Sequence, residues 1–148
     1  MQVNLDRDIH SYTIRAYEPG AISLTIPWSA EKASQLPPEE QASPSPGVET
    51  ISDSFIVSPR HLLRDWPPGS ISELQAEHLD AIIELQPELV LLGTGTRLTF
   101  PPPQILASLH RQRIGVEIMD TAAACRTYNI LMAEGRFVVA GLMNPAES

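Results

Sequence analysis

Three shortages define this chain before any motif is considered. It holds a single cysteine, Cys125, so an intrachain disulfide is excluded and nothing in the sequence asks for an oxidising compartment. It is poor in basic charge, with 10 Lys and Arg against 18 Asp and Glu, for a formal net charge of -8. A chain this acidic repels phosphate backbones and anionic headgroups, and Arg60, Arg64, Arg97, Arg111, Arg113, Arg126 and Arg136 are scattered along the sequence. Nucleic acid and membrane surface are therefore not the expected partners. No apolar run approaches the roughly 20 residues that cross a bilayer, and no membrane insertion is expected. The polar start, Met1 to Asp8, has no signal-peptide core, so the expected compartment is the cytoplasm.

Recognisable chemistry is also scarce. His10, His61, His78 and His110 share no metal-type spacing, so no metal site is expected. The carboxylates form no acid–base pair motif. Gly93-Thr94-Gly95-Thr96 lacks the third glycine of a dinucleotide fingerprint and the Gly-Lys of a Walker loop. No cofactor is expected, and no catalytic residue is assigned.

The 148 residues, 43% of them apolar, suffice for one domain with its own core. Tyr12 to Ala16 and Ala21 to Ile26 alternate with the two-residue period of strands. Glu18-Pro19-Gly20 lies between them, which predicts an N-terminal β hairpin. From Pro27 to Gly47, proline, serine and charge dominate, which predicts an exposed loop or insertion over 27–47. A strand is expected at Ser54 to Val57. Trp66, ahead of Pro67-Pro68-Gly69, reads as an aromatic anchor for a rigid turn. Ser72 and Gln75 have the spacing of a capping box, which predicts a helix over about Glu73 to Leu85 with Leu74, His78, Ile82 and Leu85 on one face.

From Glu88 onward the pattern is regular. Leu89 to Leu92 is an unbroken apolar run, as expected of a strand covered on both faces. A helix over Gln104 to Arg111 follows Pro101-Pro102-Pro103, then a strand over Gly115 to Met119. Asp120 and Thr121 are placed to cap a helix over about Ala122 to Ala133, which Gly135 ends. Arg136 to Leu142 is the last strand. Strands joined through helices are expected to run parallel. The ends of strands 89–92 and 115–119 would then place Gly93, Thr94, Gly95 and Thr96 beside Asp120 and Thr121, with Cys125 and Asn129 on the adjoining helix. Glycines there admit close approach, threonines offer hydroxyls, and the helix start offers N–H groups to a small anionic ligand. Tight turns with caps and no ligand account for the same residues. Cys125, in the first turns of a helix, fits a packed thiol better than a nucleophile, since no base lies near it in sequence.

The run Met119-Asp120-Thr121-Ala122-Ala123-Ala124-Cys125-Arg126-Thr127-Tyr128-Asn129-Ile130-Leu131, continuing through Glu134-Gly135-Arg136 and taken with Leu91-Leu92-Gly93-Thr94-Gly95, resembles a family of small α/β domains. That family includes complex I (NADH dehydrogenase) assembly factor 3, adipogenesis-associated domain proteins and many bacterial members. Ser58-Pro59 and Trp66 fit it too, and the resemblance spans about Ser54 to Leu142. It implies a three-layer domain with a central mixed, mostly parallel sheet of about five strands, the last antiparallel to the rest, and helices packed on it. It implies no reaction and carries no catalytic residues over. The expected function is a non-catalytic protein-interaction or assembly factor with a protein partner. The alternative is a small-ligand-binding protein or enzyme using the crevice at the ends of strands 89–92 and 115–119.

Overall fold

Along Leu89 to Gly93, Leu91 packs to one side and Val90 and Leu92 to the other, all fully buried. That double burial sets the architecture, because a strand without a solvent face needs a layer on each side. The computed structural model describes residues 10–27 and 47–146. In chain order these contain β1 (Thr13–Glu18), β2 (Ala21–Ile26), β3 (Gly47–Ile51), β4 (Phe55–Val57), β5 (Leu62–Leu63), α1 (Asp80–Glu84), β6 (Leu89–Gly93), α2 (Ala107–Arg111), β7 (Gly115–Met119), α3 (Thr121–Ala133) and β8 (Val138–Leu142).

The strands form two sheets. One is an antiparallel meander, β1-β2-β3; the other is a mixed five-stranded sheet in the order β5-β4-β8-β6-β7. In the larger sheet β6 runs parallel to both β7 and β8, while β4 is antiparallel to β8 and to β5. The last strand is thus parallel to β6 beside it and to β7, from which a helix leads into it, as the crossover rule requires, and not antiparallel as the family resemblance implied. The reversed strand is β4, which reaches the sheet without a helical crossover.

One face of this sheet presents Phe55, Val57, Leu91, Val138, Ala140 and Leu142 to α3 and the small sheet. The opposite face presents Ile56, Val90, Leu92 and Val139 to Trp66, Leu74, Leu79, Ile82, Leu106 and Leu109. At about 1.5–3 kcal/mol for each large apolar side chain removed from water, these two slabs outweigh any polar contact in the molecule. β7 is less enclosed than its neighbour: as an edge strand it leaves Gly115 and Glu117 exposed and Val116, Ile118 and Met119 half-buried.

The helix expected over Glu73 to Leu85 is broken. Two short 3-10 turns, Ile71–Glu73 and Ala76–Leu79, precede α1. The capping box belongs to Gln75 and His78, not to Ser72 and Gln75; His78 Nδ1 accepts from Gln75 N at 2.9 Å. Ser72 is instead paired with Ser70 through their hydroxyls. Trp66 is the anchor expected of it, buried, with Nε1–H donating to His78 O at 3.0 Å. Residues 28–46 of the expected loop lie outside the described residues, while Gly47 is already the first residue of β3.

Candidate functional site

The register of β6 with β7, which pairs Gly93 with Met119, brings the two loops at their carboxyl ends together. Thr94 N donates to Met119 O, and Thr121 N donates to Gly95 O, both at 2.9 Å. The Thr121 side chain joins them. Its hydroxyl accepts from Gly95 N and donates to Met143 O, each at 2.7 Å, and the residue is fully buried. Glycine at 93 serves this closure: a Cβ there would lie 2.9 Å from Thr121 Oγ1 and 3.1 Å from Thr121 Cα. Gly95 has φ of +102°, outside the range of most side-chain-bearing residues. Asp120 caps α3 by accepting from Ala123 N at 2.8 Å. These bonds carry the parallel ladder past the strand ends: Gly95 and Thr121 are joined through backbone and hydroxyl, Gly93 leaves room for Thr121, and Asp120 is spent on the helix cap.

The open space lies to either side of this seam. On one side a hollow of about 300 Å³ is lined by Ser70, Ile71, Ser72, Thr94, Thr96, Arg97, Thr99 and Pro145. Thr94 Oγ1 donates to Arg97 O at 2.5 Å and accepts from Thr99 N at 3.1 Å, which winds the loop into a turn. Thr96 Oγ1 is buried and has no hydrogen-bond partner. The sequence points to none of Ser70, Arg97 and Thr99 as site residues and to Ser72 only as a helix cap; the hydroxyls on two separate segments become a signal only once both segments are known to meet.

On the other side, a hollow of about 270 Å³ between β1 and α3 is lined by Ile14, Arg15, Ala16, Tyr17, Ala122, Cys125, Arg126 and Asn129. Asn129 is committed to β1. Its Nδ2 donates to Ile14 O at 2.7 Å and its Oδ1 accepts from Ile14 N at 2.9 Å. The strand bulges directly after this point, between Ile14 and Ala16. Cys125 is 3% exposed. Burial is the main cause pushing its thiol up to about 12, with Asp120 adding to the effect and Arg126 opposing it. The thiol is therefore neutral at ordinary pH, unlike an activated nucleophile. Tyr17 is also raised, first by burial and then by Cys125 and Asp120. The eight residues proposed as one site thus fall into a closed seam, with Thr94 and Thr96 on one hollow and Cys125 and Asn129 on another. No group of three or more His, Cys, Asp or Glu among the described residues is placed to hold a metal ion. Two histidines are used in turns, His78 as above and His61, whose Nδ1 lies 3.3 Å from Ser58 Oγ.

A mixed five-stranded sheet, covered on one face by a helix and a small antiparallel sheet and on the other by short helical turns, defines an α/β domain of the Mth938-like class. A Bordetella pertussis protein described as a Mth938-like domain superposes with a TM-score of 0.70 at 26% identity, covering 100% of this chain and 94% of that one. A Xanthomonas campestris protein superposes with a TM-score of 0.71 at 32% identity, covering 100% and 96%. Within that class, residues 46–143 match the model of the family described as protein of unknown function (DUF498/DUF598), and the chain belongs to this family.

Curated relatives include NADH dehydrogenase [ubiquinone] 1 alpha subcomplex assembly factor 3 of Xenopus tropicalis, 36% identical over 91 residues, 60% of this chain and 49% of the relative. The Danio rerio protein of the same name is 36% identical over 98 residues, 65% of this chain and 56% of its own length. The 13 kDa major membrane protein of Francisella tularensis is 37% identical over 68 residues, 46% of this chain and 55% of its own. The chain spans about half the length of the curated relatives it matches. Among the described residues, no helix is long and apolar enough to cross a membrane.

Proposed function

We propose that this protein is a non-catalytic interaction or assembly factor, binding a protein subunit on its way into a larger complex. The observation that carries this reading is the kinship with relatives named as assembly factors of NADH dehydrogenase. The seam supports it. The loops where an α/β domain keeps its reactive groups are here bonded to each other, and the thiol beside them is buried and neutral.

The surface offers a contact for a partner. Leu98 and Phe100 are 51% and 69% exposed on the loop that leaves β6. Pro101, Pro102 and Pro103 stiffen the loop behind them, so little ordering entropy remains to be lost on docking. A rigid aromatic held out of the surface is the kind of group that dominates binding energy at interfaces. The lone cysteine, buried and unpaired, suits the cytoplasm as the working compartment.

The test is capture from native lysate with wild-type protein and with a Leu98→Ser/Phe100→Ser variant, read by quantitative mass spectrometry. One or a few proteins should be retained by the wild type and fall at least about tenfold with the variant, whose melting temperature should be nearly unchanged because both side chains are exposed. Identical retention by the two proteins would remove this surface as the partner site.

A further inference from the structure

The hollow beside the seam has features that partner binding does not require. We propose that it binds the phosphoryl group of a small ligand, held by Arg97 and the hydroxyls of Ser70, Ser72, Thr96 and Thr99. Its position is the first reason. It lies beyond the carboxyl end of β6, beside the closed junction with β7 and on the loop that leaves toward α2, and the carboxyl ends of the strands are where α/β sheets place ligands.

Its chemistry is the second. In a chain of net charge -8, no carboxylate lines this hollow, and Arg97 is its one charged group. Among the described residues the ion pairs are Arg64 with Glu49 and Arg136 with Glu88, which leaves Arg97 without a carboxylate partner. The hydroxyls are donors in surplus. Ser70 and Ser72 share one hydrogen in their mutual bond at 2.9 Å, so the pair has one more to give. Thr94 is spent on Arg97 O, but Thr96 has no partner at all. An unmet buried hydroxyl is costly to leave in place, and Thr96 lines the hollow in which an acceptor would relieve it. Donors thus come from two walls, the Ser70–Ser72 segment and the loop after β6. A tetrahedral oxyanion presents acceptor sites spread in three dimensions, whereas the lone pairs of a carboxylate lie in one plane, so donors on two walls suit the former better. The volume, about 300 Å³, sits at the lower end of the range for small-molecule sites.

The test is a 1H–15N NMR titration at constant ionic strength with glycerol 3-phosphate, inorganic phosphate and acetate. The two phosphates should shift the amides of Ser70, Ser72 and Thr94 to Thr99 saturably, and acetate should not. Arg97→Gln should raise the dissociation constant at least about tenfold. Thr96→Val should raise it severalfold while the melting temperature holds or rises, because the variant removes an unpartnered hydroxyl. The Leu98→Ser/Phe100→Ser variant should bind phosphate as the wild type does, which separates this proposal from the partner surface. Sedimentation with phosphatidylglycerol vesicles identifies the source. Co-sedimentation lost in Arg97→Gln and competed by glycerol 3-phosphate marks a lipid headgroup; phosphate binding without co-sedimentation marks a soluble metabolite. Shifts that never saturate, that acetate reproduces, or that survive both Arg97→Gln and Thr96→Val would overturn the proposal.

Discussion

Thr121→Val is the sharpest probe of how this domain is closed. The substitution keeps the shape of the side chain and removes one oxygen. That oxygen serves two buried backbone groups, Gly95 N and Met143 O, both at 2.7 Å. Neither has room to reach water, because Thr121 is fully buried and the strand end at Gly93 packs so closely on it that a Cβ added there would lie 3.1 Å from Thr121 Cα. Each orphaned group costs about 1–3 kcal/mol, so the variant should lose about 2–6 kcal/mol in total. With a urea slope of about 2 kcal/mol per molar, the unfolding midpoint should fall by about 1–3 M, and the slope itself should not change. In heat the same loss corresponds to about 10 °C for a chain of this size. Thr121→Ser is the control. It keeps the hydroxyl, gives up one methyl, and should cost only about 1 kcal/mol. A valine variant within about 0.5 kcal/mol of wild type, or a serine variant as unstable as valine, would refute the claim that the hydroxyl joins β6, α3 and the end of β8.

Three further outcomes are expected. Asn129→Ala should cost about 1–3 kcal/mol and speed hydrogen exchange in the β1–β2 hairpin before β6 and β8, since both of its bonds go to Ile14; uniform acceleration across both sheets would contradict this. Gly93→Ala should destabilise by about 1–3 kcal/mol in denaturant melts, because the added carbon meets Thr121 and Leu142 at 2.9 and 3.0 Å. Cys125 should react slowly with thiol reagents in the native state and quickly in denaturant. With its folded pKa at about 12 and an unfolded value of about 8.5, its stabilising contribution is complete below pH ~8.5 and is lost as pH rises toward 12, so Cys125→Ala should flatten the alkaline side of the stability profile.

What the sequence made legible followed from strong periodic signals. The apolar run at Leu89 to Leu92, the Asp120 cap and the αL glycine at Gly135 each have one dominant physical cause, and each stands where expected. The misread parts had competing causes. β3 begins at Gly47, at the end of a proline- and serine-rich stretch, and its two large apolar residues, Val48 and Ile51, stand three apart and give no two-residue alternation. The segment from Ile71 to Leu85 has helical periodicity, but Gln75 sits in an extended conformation and His78 takes over the cap, so the helix is split. The strand direction implied by family resemblance failed where the crossover rule succeeded, because α3, which carries the chain from β7 across β6 to β8, returns it to the same end of the sheet. For the candidate site, the meeting of Gly93–Thr96 with Asp120–Thr121 was legible from topology. That a single hydroxyl fills the meeting point was not, since side-chain reach across strands is a tertiary property.

The strand order has a consequence for how the molecule comes into being. β8 separates β4 from β6 in the larger sheet, yet it is the last of the described strands to be synthesised. Until residues 138–142 emerge from the ribosome, β4–β5 and β6–β7 are two unjoined pairs, each with an unpaired apolar edge turned toward the same vacant slot. The nascent chain is therefore exposed to wrong pairing until β8 arrives, and a stop codon ahead of Val138 should yield aggregate rather than a smaller domain.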